Sequence, residues 1–222
     1  QAEVTSPRNE LAENIPVAAV FVFDVSDSMT YRHENLTRLE QAQTTAADQL
    51  SVLPSGSRVA ISTNTADADV VFQADLAGAR SRLETLEPNS VTATLNGMIR
   101  RAIQAHEDDR NQVRRQLGSS DLYSREIYVL TDLSQTAWRQ PDESGLRDLL
   151  VQHDWLQLYL VDVSVARPVN ISLADLSLSQ ETTVAGRPVR VSVTVAATPF
   201  ADREAIVEAY TVDNEGHEIR AG

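Results

Sequence analysis

The chain contains no cysteine and no lysine. Without cysteine, disulfides and thiolate chemistry are excluded, and the redox compartment stays open. Without lysine, a phosphate-binding loop built on that residue, Schiff-base chemistry and lysine general bases are excluded too. All 19 basic residues are arginines, and they face 32 acids for a net charge of −13. That deficit makes nucleic acid and anionic lipid poor partners. No apolar stretch approaches the ~18 residues a membrane helix needs, and no basic-then-apolar leader opens the chain. The chain as given therefore reads as soluble, and its start at Gln1 as the edge of a piece cut from a longer protein. No Gly-x-Ser-x-Gly occurs, which removes the nucleophile elbow of serine hydrolases.

What is present is enough apolar material for a core, 42% of 222 residues, or one full domain and part of a second. Val17–Phe23 is short, β-branched and aromatic, the pattern of a strand buried on both faces in a parallel sheet. It runs into Asp24-Val25-Ser26-Asp27-Ser28-Met29, which sets an acid and two hydroxyls at alternate positions. In open α/β sheets the carboxyl ends of strands are where ligands bind. A carboxylate with two neutral hydroxyls is a poor catalytic triad but a good set of hard oxygen ligands for Mg²⁺ or Mn²⁺. A turn with a helix N-cap is the plain alternative for such residues.

Beyond it, Leu36–Leu53 carries apolar residues at helical spacing and stops at Pro54-Ser55-Gly56. Arg58–Ser62 reads as a strand, Val70–Phe72 as a short edge strand, and Leu76–Leu86 as a helix. A loop through Thr92 opens a long helix to about Leu117, and Ile127–Leu130 is a second buried strand ending in Thr131-Asp132. A helix around Glu143–Val151 and a strand over Trp155–Val161 follow. Alternating strand and helix means βα crossovers and a doubly wound, mostly parallel sheet, the α/β class. Past Val163 the period changes to two, with Ile171, Leu173, Leu176 and Leu178, then Val189 to Val195, then Ile206–Val212. Turns at Gly186-Arg187-Pro188 and Asp213-Asn214-Glu215-Gly216 separate the runs. The organisation expected is a lead-in over 1–15, an α/β domain over 16–166, and part of an all-β, immunoglobulin-like sandwich over 167–222.

The Asp24-x-Ser26-x-Ser28 segment, Thr92-x-Thr94-x-x-Gly97 before the long helix, and Asp132 at a second buried strand end occur in the order and contexts of one family. Over about Pro16–Val163 the chain resembles a von Willebrand factor A domain with a metal-ion-dependent adhesion site. The resemblance implies a divalent ion, Mg²⁺ or Mn²⁺, held by Asp24, Ser26, Ser28, Thr92 and Asp132. It also implies a protein partner whose acidic residue completes the metal shell, and no catalytic residues. The Asp-x-Ser-x-Ser-Met start, Thr131-Asp132-Leu133 and the following β-strands are most similar to the membrane-anchored A-domain proteins of bacterial envelopes, the Bat-type aerotolerance group. A full-length protein anchored in the membrane of a bacterial cell envelope is the corresponding expectation. Two departures are visible. Leu133 stands where many A domains have Gly, so the loop is not expected to use positive φ freely. The last strand also runs almost straight into the Arg167-Pro168 linker, so the terminal helix that switches integrin-type domains has no counterpart.

Two rivals remain at this point. One is a structural scaffold whose metal site has no function. The other is a haloacid-dehalogenase-type phosphatase, which needs an acid where Ser26 stands and a basic residue, usually lysine, for the phosphoryl group. His106-Glu107-Asp108-Asp109 is expected to be a solvated helix face, and His33, His153 and His217 are expected to be isolated and show no zinc spacing. Asp67 and Asp69 are expected to guard an edge strand. Trp138 reads equally as partner-binding rim or as packing, and Ser134 and Thr136 as groups behind the site.

Overall fold

A computed structural model describes residues 15–118, 121–138, 145–180, 189–198, 204, 206–212 and 217–220. The chain divides into two compact units, the first ending at Ser164 and the second beginning at Val165.

The first unit is built on four parallel strands in the order β4-β1-β5-β6: β1 Val17–Phe23, β4 Arg58–Thr63, β5 Ser124–Thr131 and β6 Leu156–Asp162. All seven residues of β1 are buried, as its unbroken apolar run requires. The side chains alternate between two cores. Phe21 and Phe23 pack with Met29, Leu39, Ala42 and Leu83 under helices α1 (Arg38–Ser51) and α2 (Leu76–Glu84). Val20 and Val22 pack on the other face with Met98, Ile99 and Ile103 of α3 (Leu95–Leu117). Each such side chain taken from water contributes ~1.5–3 kcal/mol before entropy is counted. Helices on both faces of a parallel sheet are the doubly wound arrangement that the alternating pattern implies.

Several expected boundaries shift for local reasons. Leu36–Thr37 (β3) pairs with Arg32–His33 (β2) as a two-residue hairpin, and α1 starts only at Arg38. Thr37 accepts from the Glu40 N–H while the Glu40 carboxylate accepts from the Thr37 N–H. This reciprocal cap overrides the apolar period that would begin the helix at Leu36. The expected edge strand at Val70–Phe72 is absent. Only Gln73 bridges Val59, antiparallel, so Asp67 and Asp69 guard no strand. Two short helices, α4 (Gln135–Trp138) and α5 (Leu146–Gln152), lie between β5 and β6. The expected start of α5 at Glu143 falls outside the described residues.

In the second unit, β7 (Ile171–Leu178) pairs antiparallel with β8 (Val191–Ala197), and β9 (Tyr210–Val212) with β10 (Glu218–Arg220). The β7–β8 register slips between Ala174 and Ser177, where Asp175 takes a left-handed φ of 52°. That is a bulge, which breaks the two-residue period locally. Leu173, Leu176 and Leu178 are exposed, Leu176 at 72%. The two expected turns of this unit lie outside the described residues.

Candidate metal centre

Parallel register decides which residues meet at each edge of the sheet. Phe23 is level with Thr63 on one side and Leu130 on the other, so Asp24, Asn64 and Asp132 emerge together at the carboxyl edge. The backbone bonds Asp24 N–H to Leu130 C=O and Asn64 N–H to Phe23 C=O, 2.9 and 3.0 Å, fix that meeting.

Asp24 is fully buried. Its Oδ1 accepts from the Ser26 N–H at 3.0 Å and Asn64 Nδ2 at 3.2 Å, and its Oδ2 from Thr131 Oγ1 at 2.9 Å. A buried carboxylate needs such donors, because desolvation without them is costly. Ser26 and Ser28 are half-buried, and their hydroxyl oxygens lie 3.2 Å apart. From Ser26 the chain enters a 3-10 segment, Asp27–Thr30, which carries Ser28 and buries Met29 in the core. The apolar anchor at Met29 holds the two hydroxyls at the edge.

Asp132, 9% exposed, accepts from the Ser134 N–H at Oδ1, 3.0 Å, and from Arg38 Nη1 at Oδ2, 2.5 Å. Leu133 between them has φ +58°, in the left-handed region, contrary to the expectation drawn from its side chain. Holding a leucine there costs about 1–2 kcal/mol. Two local bonds offset it: Leu133 N–H to Thr131 Oγ1 at 3.1 Å and the Ser134 bond to the Asp132 carboxylate. Thr131 thus supports both acids.

Thr92 lies half-buried in the loop before α3. That loop is tied to the others by Asn89 N–H to Val25 C=O at 2.7 Å and Ala93 N–H to Asn64 C=O at 2.6 Å. Ser90 Oγ also donates to Asp27 Oδ1 at 2.9 Å. The neighbouring Thr94 has a structural duty, its Oγ1 capping α3 through the Gly97 N–H at 3.2 Å. A Cβ at Gly97 would stand 3.3 Å from that oxygen, so the closing glycine of the segment suits the cap.

All five expected positions therefore lie in loops that converge on one edge. Sequence reasoning missed Asn64, Thr131 and Arg38. Asn64 carried a signal, an amide directly after a buried strand; Arg38 carried none. Among the described residues no three His, Cys, Asp or Glu converge. The donor set at this edge is instead two carboxylates and hydroxyls, and one distance tests whether it fits a small hard cation. An octahedron with metal–oxygen bonds of about 2.1 Å has adjacent oxygens ~3.0 Å apart. The 3.2 Å between the Ser26 and Ser28 oxygens, which hydrogen-bond each other, is close to such an edge, so the two hydroxyls are compatible with a small hard cation.

The remaining candidates resolve into structure. His106 is buried, not solvated, and Asp109 is paired with Arg58 and Arg125. His153 is not isolated: Leu149 C=O and Glu107 engage its two ring nitrogens and raise its pKa. Trp138 packs with the α3 core, and its carbonyl accepts from Asn96. Ser134 reaches the site through its backbone, while its hydroxyl bonds Thr136.

The von Willebrand factor type A domain family matches residues 19–135. No curated protein matches the chain. Among solved structures, the chain is similar to an aerotolerance-related membrane protein from Bacteroides fragilis, at 16% identity and a TM-score of 0.50, covering 92% of this chain and 81% of that one. It is also similar to BatB from Bacteroides thetaiotaomicron, at 18% identity and a TM-score of 0.47, covering 92% and 80%. A third similarity is to proximal thread matrix protein 1 of the mussel byssus, solved with a zinc-occupied metal-ion-dependent adhesion site. That match has 16% identity and a TM-score of 0.43, covering 67% of this chain and 36% of the other.

Proposed function

Since the chain belongs to the von Willebrand factor type A domain family, we propose that it is a non-enzymatic, divalent-cation-dependent protein-binding module of a bacterial envelope protein. The ion is Mg²⁺ or Mn²⁺, held by Asp24, Ser26, Ser28, Thr92 and Asp132. The observation that carries this reading is the pair of hydroxyl oxygens 3.2 Å apart beside two strand-end carboxylates. The hydroxyls add no charge to the shell, so an ion bound here would offer an electrophilic position to an acidic side chain of a partner. At net −13 the chain repels acidic partners at long range, and only a local cation reverses that at contact.

An envelope location draws support from the membrane protein of B. fragilis that shares the fold. Among the described residues no helix is long and apolar enough to cross a membrane. The scaffold reading has one observation in its favour: Arg38 already neutralises Asp132. A phosphatase has none, since the position two residues after Asp24 is a serine whose hydroxyl faces Ser28.

Affinity capture from envelope extract tests the proposal. Partners should be retained with Mn²⁺, released by EDTA, and absent with Asp132→Ala. The same partners held with and without chelator would favour the scaffold. Phosphate release from a general phosphatase substrate, lost in Asp24→Asn, would overturn the non-enzymatic reading.

A further inference from the structure

Arg38 is the first residue of α1, yet its side chain turns back to the carboxyl edge of the sheet. Nη1 donates to the Ser28 carbonyl at 3.0 Å as well as to Asp132 Oδ2. The guanidinium carbon lies 4.6 Å from the centre of the Tyr31 ring, and the Arg38 N–H bonds the Tyr31 carbonyl at 3.1 Å. The side chain is 10% exposed and the Asp132 side chain 3%. One cation thus joins the hydroxyl-bearing loop after β1 to the acid at the end of β5.

Arg38 is imperfectly satisfied in this position. Its Nε is buried and has no hydrogen-bond partner, which costs about 1–3 kcal/mol. Arg125, at the opposite edge, directs Nε, Nη1 and Nη2 to acceptors. Arg58, at that same edge, also leaves a buried Nε unmet, so what sets Arg38 apart is where its Nη1 goes: to the two loops that carry candidate ligands.

We propose that Arg38 is a resident cation of the metal site which shares Asp132 with the divalent ion and sets how tightly that ion is held. The proposal rests on the metal reading above. With Asp24 and Asp132 counted against Arg38, the formal charge awaiting an ion is −1 rather than −2. Each Asp132 oxygen already accepts a hydrogen bond, from Ser134 and from Arg38. A bound ion therefore weakens the Arg38–Asp132 pair and feels the guanidinium charge. Arg38 acts as a positioning residue. It holds the acid in place when no ion is bound, keeps affinity modest, and keeps a bound ion electron-poor towards a partner carboxylate.

Mn²⁺ binding, read from the electron paramagnetic signal of free Mn²⁺, tests this on the full chain. Arg38→Gln should lower the Kd by about tenfold, the low end of what one nearby unit charge does to proton binding. Arg38→Lys, which keeps the charge, should stay near wild type. In EDTA the melting temperature of Arg38→Gln should fall below wild type, and saturating Mn²⁺ should narrow the gap. An unchanged or higher Kd for Arg38→Gln, with wild type still binding Mn²⁺, overturns the role of Arg38 and leaves the metal reading standing. Absence of Mn²⁺ binding in every variant overturns both. Should Arg38→Gln fail to fold, arginine side-chain ¹⁵N resonances of wild type can be followed through a Mg²⁺ titration. The Arg38 signal should move in step with binding, and a signal that stays fixed while Mg²⁺ binds contradicts the proposal.

Discussion

The two edges of the central sheet both bury charge and treat it in opposite ways. At the amino edge, register sets Arg58 and Arg125 level with Ala18. Arg125, 1% exposed, grips Asp121 with two nitrogens at 2.8 and 3.0 Å and Asp109 with a third at 2.7 Å. Arg58 and Arg110 bond the same two acids at 2.6 and 3.2 Å. Burial works to raise the Asp121 pKa, but the hydrogen bonds and charge of Arg125 outweigh it and hold the carboxyl below its usual range. At the carboxyl edge two acids meet one arginine, and hydroxyls with spare lone pairs complete the group. At the first edge both carboxylates are gripped by two arginines each, although Arg58 Nε stays unmet; the second has capacity left for a cation from outside. Burial of charge does not tell them apart, whereas the count of unmatched lone pairs does.

Breaking the closed edge should give the largest effect. Arg125→Met leaves Asp121 and Asp109 with one arginine each, and removing one partner from a buried network costs about 3–5 kcal/mol. Urea unfolding should show this as a lower midpoint. Asp24→Asn at the open edge keeps the shape and an acceptor, and should cost less. Equal losses would mean that the open edge is structural too.

A pH-dependent effect sharpens the same contrast. His106, next to the closed network, is buried with Nε2 on the Glu126 carbonyl and Nδ1 unpartnered. Burial first, with the Arg125 charge adding to it, lowers its pKa from 6.5 to about 3, against the raising effect of the Glu126 bond. Between those values the unfolded chain binds a proton that the folded chain refuses. Stability attributable to this group is therefore complete above about 6.5 and declines as pH falls towards 3, at no more than ~1.4 kcal/mol per pH unit. The difference in stability between wild type and His106→Gln should carry that slope. A flat difference would show that His106 titrates alike in both states.

What was legible in the sequence follows period and strand-end chemistry. The unbroken apolar runs at Val17–Phe23 and Ile127–Leu130 mark central strands, and the acid after each marks the site's edge. Helix starts were misplaced where a cap competed with the apolar period, as at Thr37 and Glu40. The edge strand at Val70–Phe72 was misread because three apolar residues in an extended loop carry the same signal as a strand. The conformation of Leu133 was misread because residue type gives a preference, and two hydrogen bonds from neighbours outweighed it. Arg38 was invisible for another reason: it meets Asp132 across 94 residues, and no local pattern encodes that pairing. In the second unit period two foretold β7 and β8, yet Leu173, Leu176 and Leu178 remain exposed, because alternation specifies a strand and not what covers its face.

The central claim is that hydroxyl oxygens at the carboxyl edge take a divalent ion. Calorimetric titration of Mg²⁺ into wild type and into the Ser26→Ala/Ser28→Ala double variant tests it most directly, because the double variant alters no charge. Saturable binding to wild type and none to the double variant is the predicted result. Equal binding to both would mean that the acids attract the ion without the hydroxyls, and would contradict the account.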